Sequence, residues 1–282
     1  MKSIILKPQK EKPLLNYHPW IFSGAVQNIS SNIEVGDVVL VESYNKNALA
    51  YAHYCGNNSL IARVFSFDTN ISIDDNFWYE KFTKALQLRR VLNLPNSQTN
   101  GFRFLHGEGD GLSGLVCDIF EDTALVKNTN PGLTSILKIL ELFLQKELNI
   151  KNFCADQESE DEKLFIENSV KFVAYLGKGQ KTGHFLDQRL NRLLLQNYVK
   201  NKKVLDAFCY SGGFSVYALM AKALSVTSVD ISKLALEQCL KNVSLNAPYV
   251  GNHQVLEQDC FNYLRTLKEK RSEEHTSELQ SH

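Results

Sequence analysis

The sequence predicts an α/β protein in three parts: a small all-β barrel or sandwich over residues 1–70, an α+β segment over 71–176, and the opening of a doubly wound parallel sheet over 177–270. Three observations carry this expectation. Short alternating runs crowd the N-terminal stretch, and one long helical pattern then opens a mixed middle. Past Gly177, strands and helices alternate, which means parallel strands joined by crossover helices.

In the first part "VGDVVLVES" (35–43), "ALAYAHYC" (48–55) and "SLIARVFSF" (59–67) are separated by the turn signals "YNKN" and "GNN". A helix is expected from Asn76 to Leu94, with Trp78, Phe82, Ala85 and Leu86 on one face and Pro95 as its stop. In the middle part "GFRFLHG" and "LSGLVCDIF" flank the turn "EGDG", and "LTSILKILELFLQKEL" makes an amphipathic helix. "IKNFCAD" and "KLFIENSVKFVAYL" follow, parted by the acidic "QESEDE". The glycine-rich "GEGDGLSG" (107–114) reads as a hairpin turn and not a phosphate loop. Glu108 and Asp110 would repel phosphate, and no Gly-Lys-Ser/Thr ending follows.

In the third part Thr182 can cap a helix whose apolar positions include Phe185, Leu186, Leu190, Leu193 and Leu194. The strands "KVLDAF", "SVTSVDI" and "HQVLEQD" then alternate with a helix from Gly213 and with "KLALEQCLKNVSLN" and "FNYLRTLKEK". About three strands of a Rossmann-like domain are therefore expected.

Composition excludes several classes. No run of some 18 apolar residues is present, so no membrane-spanning helix or membrane partner is expected. The six cysteines are spread without a C-x-x-C pair, which speaks against a metal site or a disulfide framework and fits a reducing cytosol. Formal charge is balanced, but between Lys178 and Lys203 seven basic residues face one acid, Asp187. A second basic group, Lys81, Lys84, Arg89 and Arg90, lies on the preceding long helix. Such local patches can serve a phosphate backbone or be ordinary solvated helix faces.

"VLDAFCYSGGFSVYAL" (204–219) carries the chemistry: a strand, a turn at Gly212 and Gly213, then a helix. Ligands of doubly wound sheets bind at the carboxyl ends of strands, where Asp206, Asp230 and Asp259 fall in succession. Asp230 sits where an acid bonds ribose hydroxyls, about 20 residues past the turn or slightly less. A pyrophosphate would be repelled by Asp206, and the third glycine of a dinucleotide motif is missing. A nicotinamide-dependent oxidoreductase is thereby disfavoured. S-adenosylmethionine, which has no phosphate and carries a sulfonium and an ammonium, suits these acids better, with Asp259 accepting from the adenine amino group.

With "VDIS" and "KTGHFLDQRLNR" (181–192), the glycine stretch closely resembles the class I S-adenosylmethionine-dependent ribosomal RNA methyltransferases that carry an N-terminal PUA domain. "HPWIFSGAV" (18–26) resembles the opening of the PUA-like domain, and "GEGDGLSGLVCDIF" the family's central domain. The likeness runs in order over about 1–270. It implies an RNA-binding PUA-like domain and ribosomal RNA as substrate. Bacterial members methylate carbon 5 of cytosine in the large-subunit RNA. It further implies a cofactor site lined by Asp206, Phe208, Gly212, Gly213, Asp230 and Asp259, with Lys181, Arg189 and Arg192 touching RNA. Cys209 is read as a small filler at the strand end.

Cytosine-5 methylation needs a thiolate that adds to the neighbouring ring carbon. In the family, this cysteine and an Asp-Pro-Pro segment follow the fourth and later strands. Here no proline follows Pro248 and no cysteine follows Cys260. The expectation is a chain cut inside its catalytic domain and inactive by itself, with Val204–Phe208 left as an open edge. "RSEEHTSELQSH" (271–282) reads as a non-native, adapter-derived tail, and without it the chain is slightly basic. A non-catalytic RNA-binding module is the alternative.

Overall fold

The computed structural model describes residues 2–155, 162–176, 183–246 and 252–269. Lys181, Thr182 and the expected tail at 271–282 lie outside the described residues. The chain divides into two compact units. One comprises Met1–Asn96 and Asn100–Glu158, the other Ser97–Thr99 and Ser159–His282. The division falls earlier than the expected boundary at 176, so the hairpin of residues 162–175 belongs with the C-terminal strands.

The first unit opens with β1 (Ser3–Leu6), a single helical turn α1 (Lys12–Leu15), β2 (Trp20–Phe22), β3 (Val26–Ile29), β4 (Val38–Glu42), β5 (Ala48–Tyr54) and β6 (Leu60–Ser66). They form one sheet in the order β2-β6-β5-β4-β1-β3. The three longer strands match the sequence reading. The three short ones have too few residues for alternation to register. Alternate residues Val39, Val41, Ala50, Ala52, Ala62 and Val64 are buried on one core, as a period of two requires.

α2 (Asp75–Val91) starts where Asp74 accepts from the Phe77 N–H at 2.9 Å, and it buries Trp78, Phe82, Ala85 and Leu86 as expected. β7 (Gly101–His106), β8 (Leu115–Phe120) and β9 (Thr123–Asn128) form an antiparallel meander. After α3 (Leu137–Leu148), β10 (Asn152–Ala155) pairs parallel to β9. The "GEGD" segment is a structural turn. Arg89 grips Asp110 through its two terminal nitrogens, Nη1 and Nη2, and Asp110 also accepts from the His106 N–H. Arg89 is buried there, and Lys81 donates to the Gly111 carbonyl. Half of the second basic group is thus committed to the fold.

The second unit begins with the hairpin β11 (Glu162–Glu167) and β12 (Val170–Tyr175). Its turn residues, Asn168 and Ser169, both have positive φ, 49° and 66°, which suits a right-twisted two-residue hairpin. Then come α4 (Arg189–Val199), β13 (Lys203–Ala207), α5 (Gly213–Met220), β14 (Ser225–Asp230), α6 (Lys233–Ser244), β15 (His253–Glu257) and a helix α7 over 260–269. The sheet is parallel in the order β13-β14-β15. Among the described residues β13 lies at one edge of this sheet.

α4 departs from the sequence reading. Leu190, Leu193 and Leu194 are exposed, while Arg192 and Val199 are the buried positions. The regular helix starts only at Arg189, after a 3-10 turn at Leu186–Gln188. The cause is an ion pair: Arg192 is pulled inward by a buried carboxylate, which turns the leucine stripe outward.

Candidate functional site

At the end of β13 the backbone alternates through the left-handed region at Phe208, Tyr210 and Gly212, with φ of 59°, 48° and 75°. Two of these are bulky residues in a conformation that costs of order 1–3 kcal/mol each, which marks a turn held by its surroundings. The hold is visible. The Phe208 N–H donates to Cys260 Sγ at 3.1 Å, the Cys209 N–H to the Val229 carbonyl at 3.1 Å, and the Tyr210 N–H to Asp230 Oδ2 at 2.9 Å. Gly212 is required twice over, because its φ disfavours a side chain and a Cβ there would run into Cys239.

Two adjoining cavities open at this turn, sharing Phe185, Phe208 and Tyr210 as walls. One, of about 460 Å³, is bounded by Asp230, Ile231, Ser232 and the start of α6. The other, of about 270 Å³, is bounded by His184, Gln188, Arg192, Cys209, Gly213 and Phe214. An acid on the larger cavity and a buried cation on the smaller, with Gly213 on the wall of the smaller one, fit a long ligand that carries hydroxyls at one end and charge at the other.

The expected cofactor residues part company here. Phe208, Gly213 and Asp230 line the cavities. Asp230 also accepts from the Ser232 N–H at 2.9 Å, which fixes its carboxylate at the strand end. Asp206 borders neither cavity. It accepts from the N–H and hydroxyl of Ser215, and the chain continues through Ser228 Oγ (2.6 Å) to His253 Nε2 (2.8 Å). Burial pushes the Asp206 carboxyl up to about 6, against the pull of the Ser215 bonds. Asp259 likewise borders neither cavity, and its Oδ1 accepts from the Asn262 N–H at 2.8 Å, capping α7.

Arg192 requires a correction. Expected to touch RNA, it is 2% exposed, and its Nε and Nη2 donate to the two oxygens of Glu167 at 2.7 and 2.6 Å. A guanidinium committed in this way cannot reach a phosphate outside the protein. Arg189 is half-buried on the first turn of α4.

Glu167 was missed by the sequence reading. It is fully buried at the end of β11, beside Tyr217, whose hydroxyl donates to its Oε1 at 3.1 Å. Burial alone would raise its carboxyl, but His184 and Arg192 hold it down at about 2. The signal was present: Glu167 shares a strand face with Phe165, so an acid stands where the alternation demands an inward residue.

Comparisons with known proteins agree with this architecture. Residues 4–67 match the family of PUA-like domains, and 138–273 match the S-adenosylmethionine-dependent methyltransferases. A Streptococcus mutans protein assigned as an S-adenosylmethionine-dependent methyltransferase superposes with a TM-score of 0.81 at 24% identity, covering 96% of this chain and 74% of that one. A structure described as a methyltransferase with S-adenosylhomocysteine gives 0.82 at 24% identity, covering 96% and 73%. At these identities the likeness establishes the fold. The chain thus joins a PUA-like domain to an S-adenosylmethionine-dependent methyltransferase domain.

Closer relatives narrow the class. Ribosomal RNA large subunit methyltransferase I of Pseudoalteromonas atlantica is 31% identical over 94% of this chain and 72% of its own length. The same enzyme of Aeromonas salmonicida is 32% identical over 95% and 72%. This chain belongs to the ribosomal RNA large subunit methyltransferase I family. No helix among the described residues is long and apolar enough to cross a membrane.

Proposed function

We propose that the protein methylates carbon 5 of a cytosine in large-subunit ribosomal RNA in the cytosol. The observation that carries this reading is the strained glycine turn with its paired cavities, in a chain of this family. S-adenosylmethionine supplies the methyl group. Asp230 holds the ribose hydroxyls at the larger cavity, and the side chains around Phe208 and Phe185 enclose the sulfonium region. The PUA-like domain binds the RNA, aided by Lys181 and Arg189.

Taken alone, the 282-residue chain binds cofactor and RNA but transfers no methyl group. The chemistry needs a reachable thiolate, and the cysteines nearest the turn, Cys209, Cys239 and Cys260, are all buried. The Cys260 thiol is engaged with the Phe208 N–H and the Val229 carbonyl. The hydrogen bond between Cys209 and Cys239 keeps the Cys209 thiol protonated and pulls Cys239 down to about 5, but Cys239 is fully buried. This favours the second reading, an RNA-binding module, for the chain by itself.

The test is methyl transfer to undermodified 23S RNA followed by nucleoside mass spectrometry, comparing this chain with a gene product extended past codon 270. The extended product should yield 5-methylcytosine and this chain none. A different methylated nucleoside would refute the cytosine assignment, and turnover by this chain would return attention to Cys209 and Cys260.

A further inference from the structure

We infer that a further pocket, within the PUA-like domain, seats one unpaired base of single-stranded RNA, with guanine preferred because Glu11 accepts from its Watson–Crick edge. This rests on the reading above that the domain binds RNA, and it names the group that is seated and the residue that selects it.

The pocket has a volume of about 500 Å³, in the range of small-ligand sites, and is bounded by Gln9, Glu11, Ser43, Tyr44, Asn45 and Asn47. Two tight turns frame it. In one, the Lys10 N–H donates to the Lys7 carbonyl at 3.2 Å. In the other, between β4 and β5, the Ser43 N–H donates to the Asn47 carbonyl at 2.9 Å, and Ser43 Oγ accepts from the Asn47 N–H at 3.1 Å. Backbone bonds therefore set the wall, and Tyr44, Asn45 and Asn47 stay exposed along it.

Glu11 is the sign of a ligand. Its Oε2 is buried, and among the described residues it has no hydrogen-bond partner. Its side chain does not cap α1, the helical turn that it precedes. A buried carboxylate oxygen without a donor carries a desolvation cost, and a ligand that brings N–H groups would offset it.

Charge around the pocket selects among such ligands. Lys10, Lys12 and Lys46, each next in sequence to a lining residue, are exposed. They disfavour an ammonium or guanidinium ligand and favour one with neutral donors on an anionic scaffold. A nucleotide has that composition, its phosphates held outside by lysines while its base enters. Of the four bases, guanine alone presents two neighbouring donors, N1–H and N2–H, which one carboxylate takes together. Adenine and cytosine set a ring acceptor beside their amino group, and uracil sets its N3–H between two carbonyls. The base must be unpaired, because a duplex hides this edge. Tyr44, 55% exposed, offers a ring for it to stack on.

The test is fluorescence anisotropy of the full chain with a labelled oligouridylate and with the same strand carrying one central guanosine. Guanosine should tighten binding roughly tenfold. Inosine in its place keeps N1–H but lacks the 2-amino group, and should give only about threefold. Glu11→Gln should bring the guanosine strand within about twofold of the uridine strand. It should leave oligouridylate affinity and its salt dependence unchanged, because the lysines are intact. Inosine alters the RNA and not the protein, so it decides the matter even if the variant fails to fold. Equal wild-type affinity for the guanosine and uridine strands would overturn the pocket while leaving RNA binding by the domain in place. So would full affinity for the inosine strand, or a guanosine preference that survives Glu11→Gln. Wild-type protein that binds neither strand would overturn both readings.

Discussion

Asp206 and Ser215 are joined twice: one carboxylate oxygen, Oδ2, accepts from both the backbone N–H and the hydroxyl of Ser215, at 3.1 and 2.6 Å. The strand end is thereby tied to the first turn of α5, and the carboxyl is drawn beneath the helix. Its value of about 6 lies above the ordinary 3.8, so between those limits the folded protein keeps a proton that the unfolded chain has released. The resulting stabilisation is complete below the lower value and is lost as pH rises through the upper one. Asp206→Asn keeps an acceptor for Ser215 and cannot ionise. Its melting temperature relative to wild type should therefore rise between about pH 4 and pH 7. A difference that stays flat with pH would show that the carboxyl does not titrate there.

Gly212→Ala should fail for two reasons that add. The left-handed φ costs roughly 1–2 kcal/mol for a residue with a Cβ. Overpacking against Cys239 costs about 1–3 kcal/mol more. Urea unfolding should show the destabilisation, and S-adenosylhomocysteine binding should fall with it. A variant as stable as wild type would mean that the turn relaxes around the methyl.

Asp110→Ala leaves Arg89 buried without its partner. Breaking such a pair from one side costs roughly 3–5 kcal/mol. Both side chains are under a tenth exposed, so solvent does little to soften the effect. Denaturant unfolding of the first unit should register it. An effect below about 1 kcal/mol would put the pair with surface bridges.

RNA affinity should depend on salt through Lys181 and Arg189. Each cation that neutralises a phosphate releases counterions, so removing it should lower the slope of log affinity against log salt by about 0.7–0.9. The double variant Lys181→Ala, Arg189→Ala is thus expected to bind more weakly and with a flatter slope in filter binding. An unchanged slope would assign both residues to solvated surface.

Much of this protein can be read from its residues alone. The β-rich start, the helix through Trp78 and Leu86, and the alternation after residue 200 all follow from periodicity. Periodicity is local, and each period commits one face to a core. The glycine turn was legible as a local break between strand and helix, although the close approaches that exclude a side chain come from elsewhere: Cys239 at Gly212 and Arg192 at Gly213. The resemblance of whole motifs in order then supplied the family.

Only the tertiary structure decided where polar side chains point. Asp206, Asp230 and Asp259 look alike as acids at successive strand ends, yet Asp230 faces a cavity, Asp206 anchors a helix and Asp259 caps one. Arg192 sits in a basic run and reads as surface. Glu167, 25 residues earlier in the chain, draws it inward and exposes the leucines of its helix. A charge enters a protein interior only where a partner from elsewhere in the chain meets it, and spacing along the sequence carries no record of that meeting.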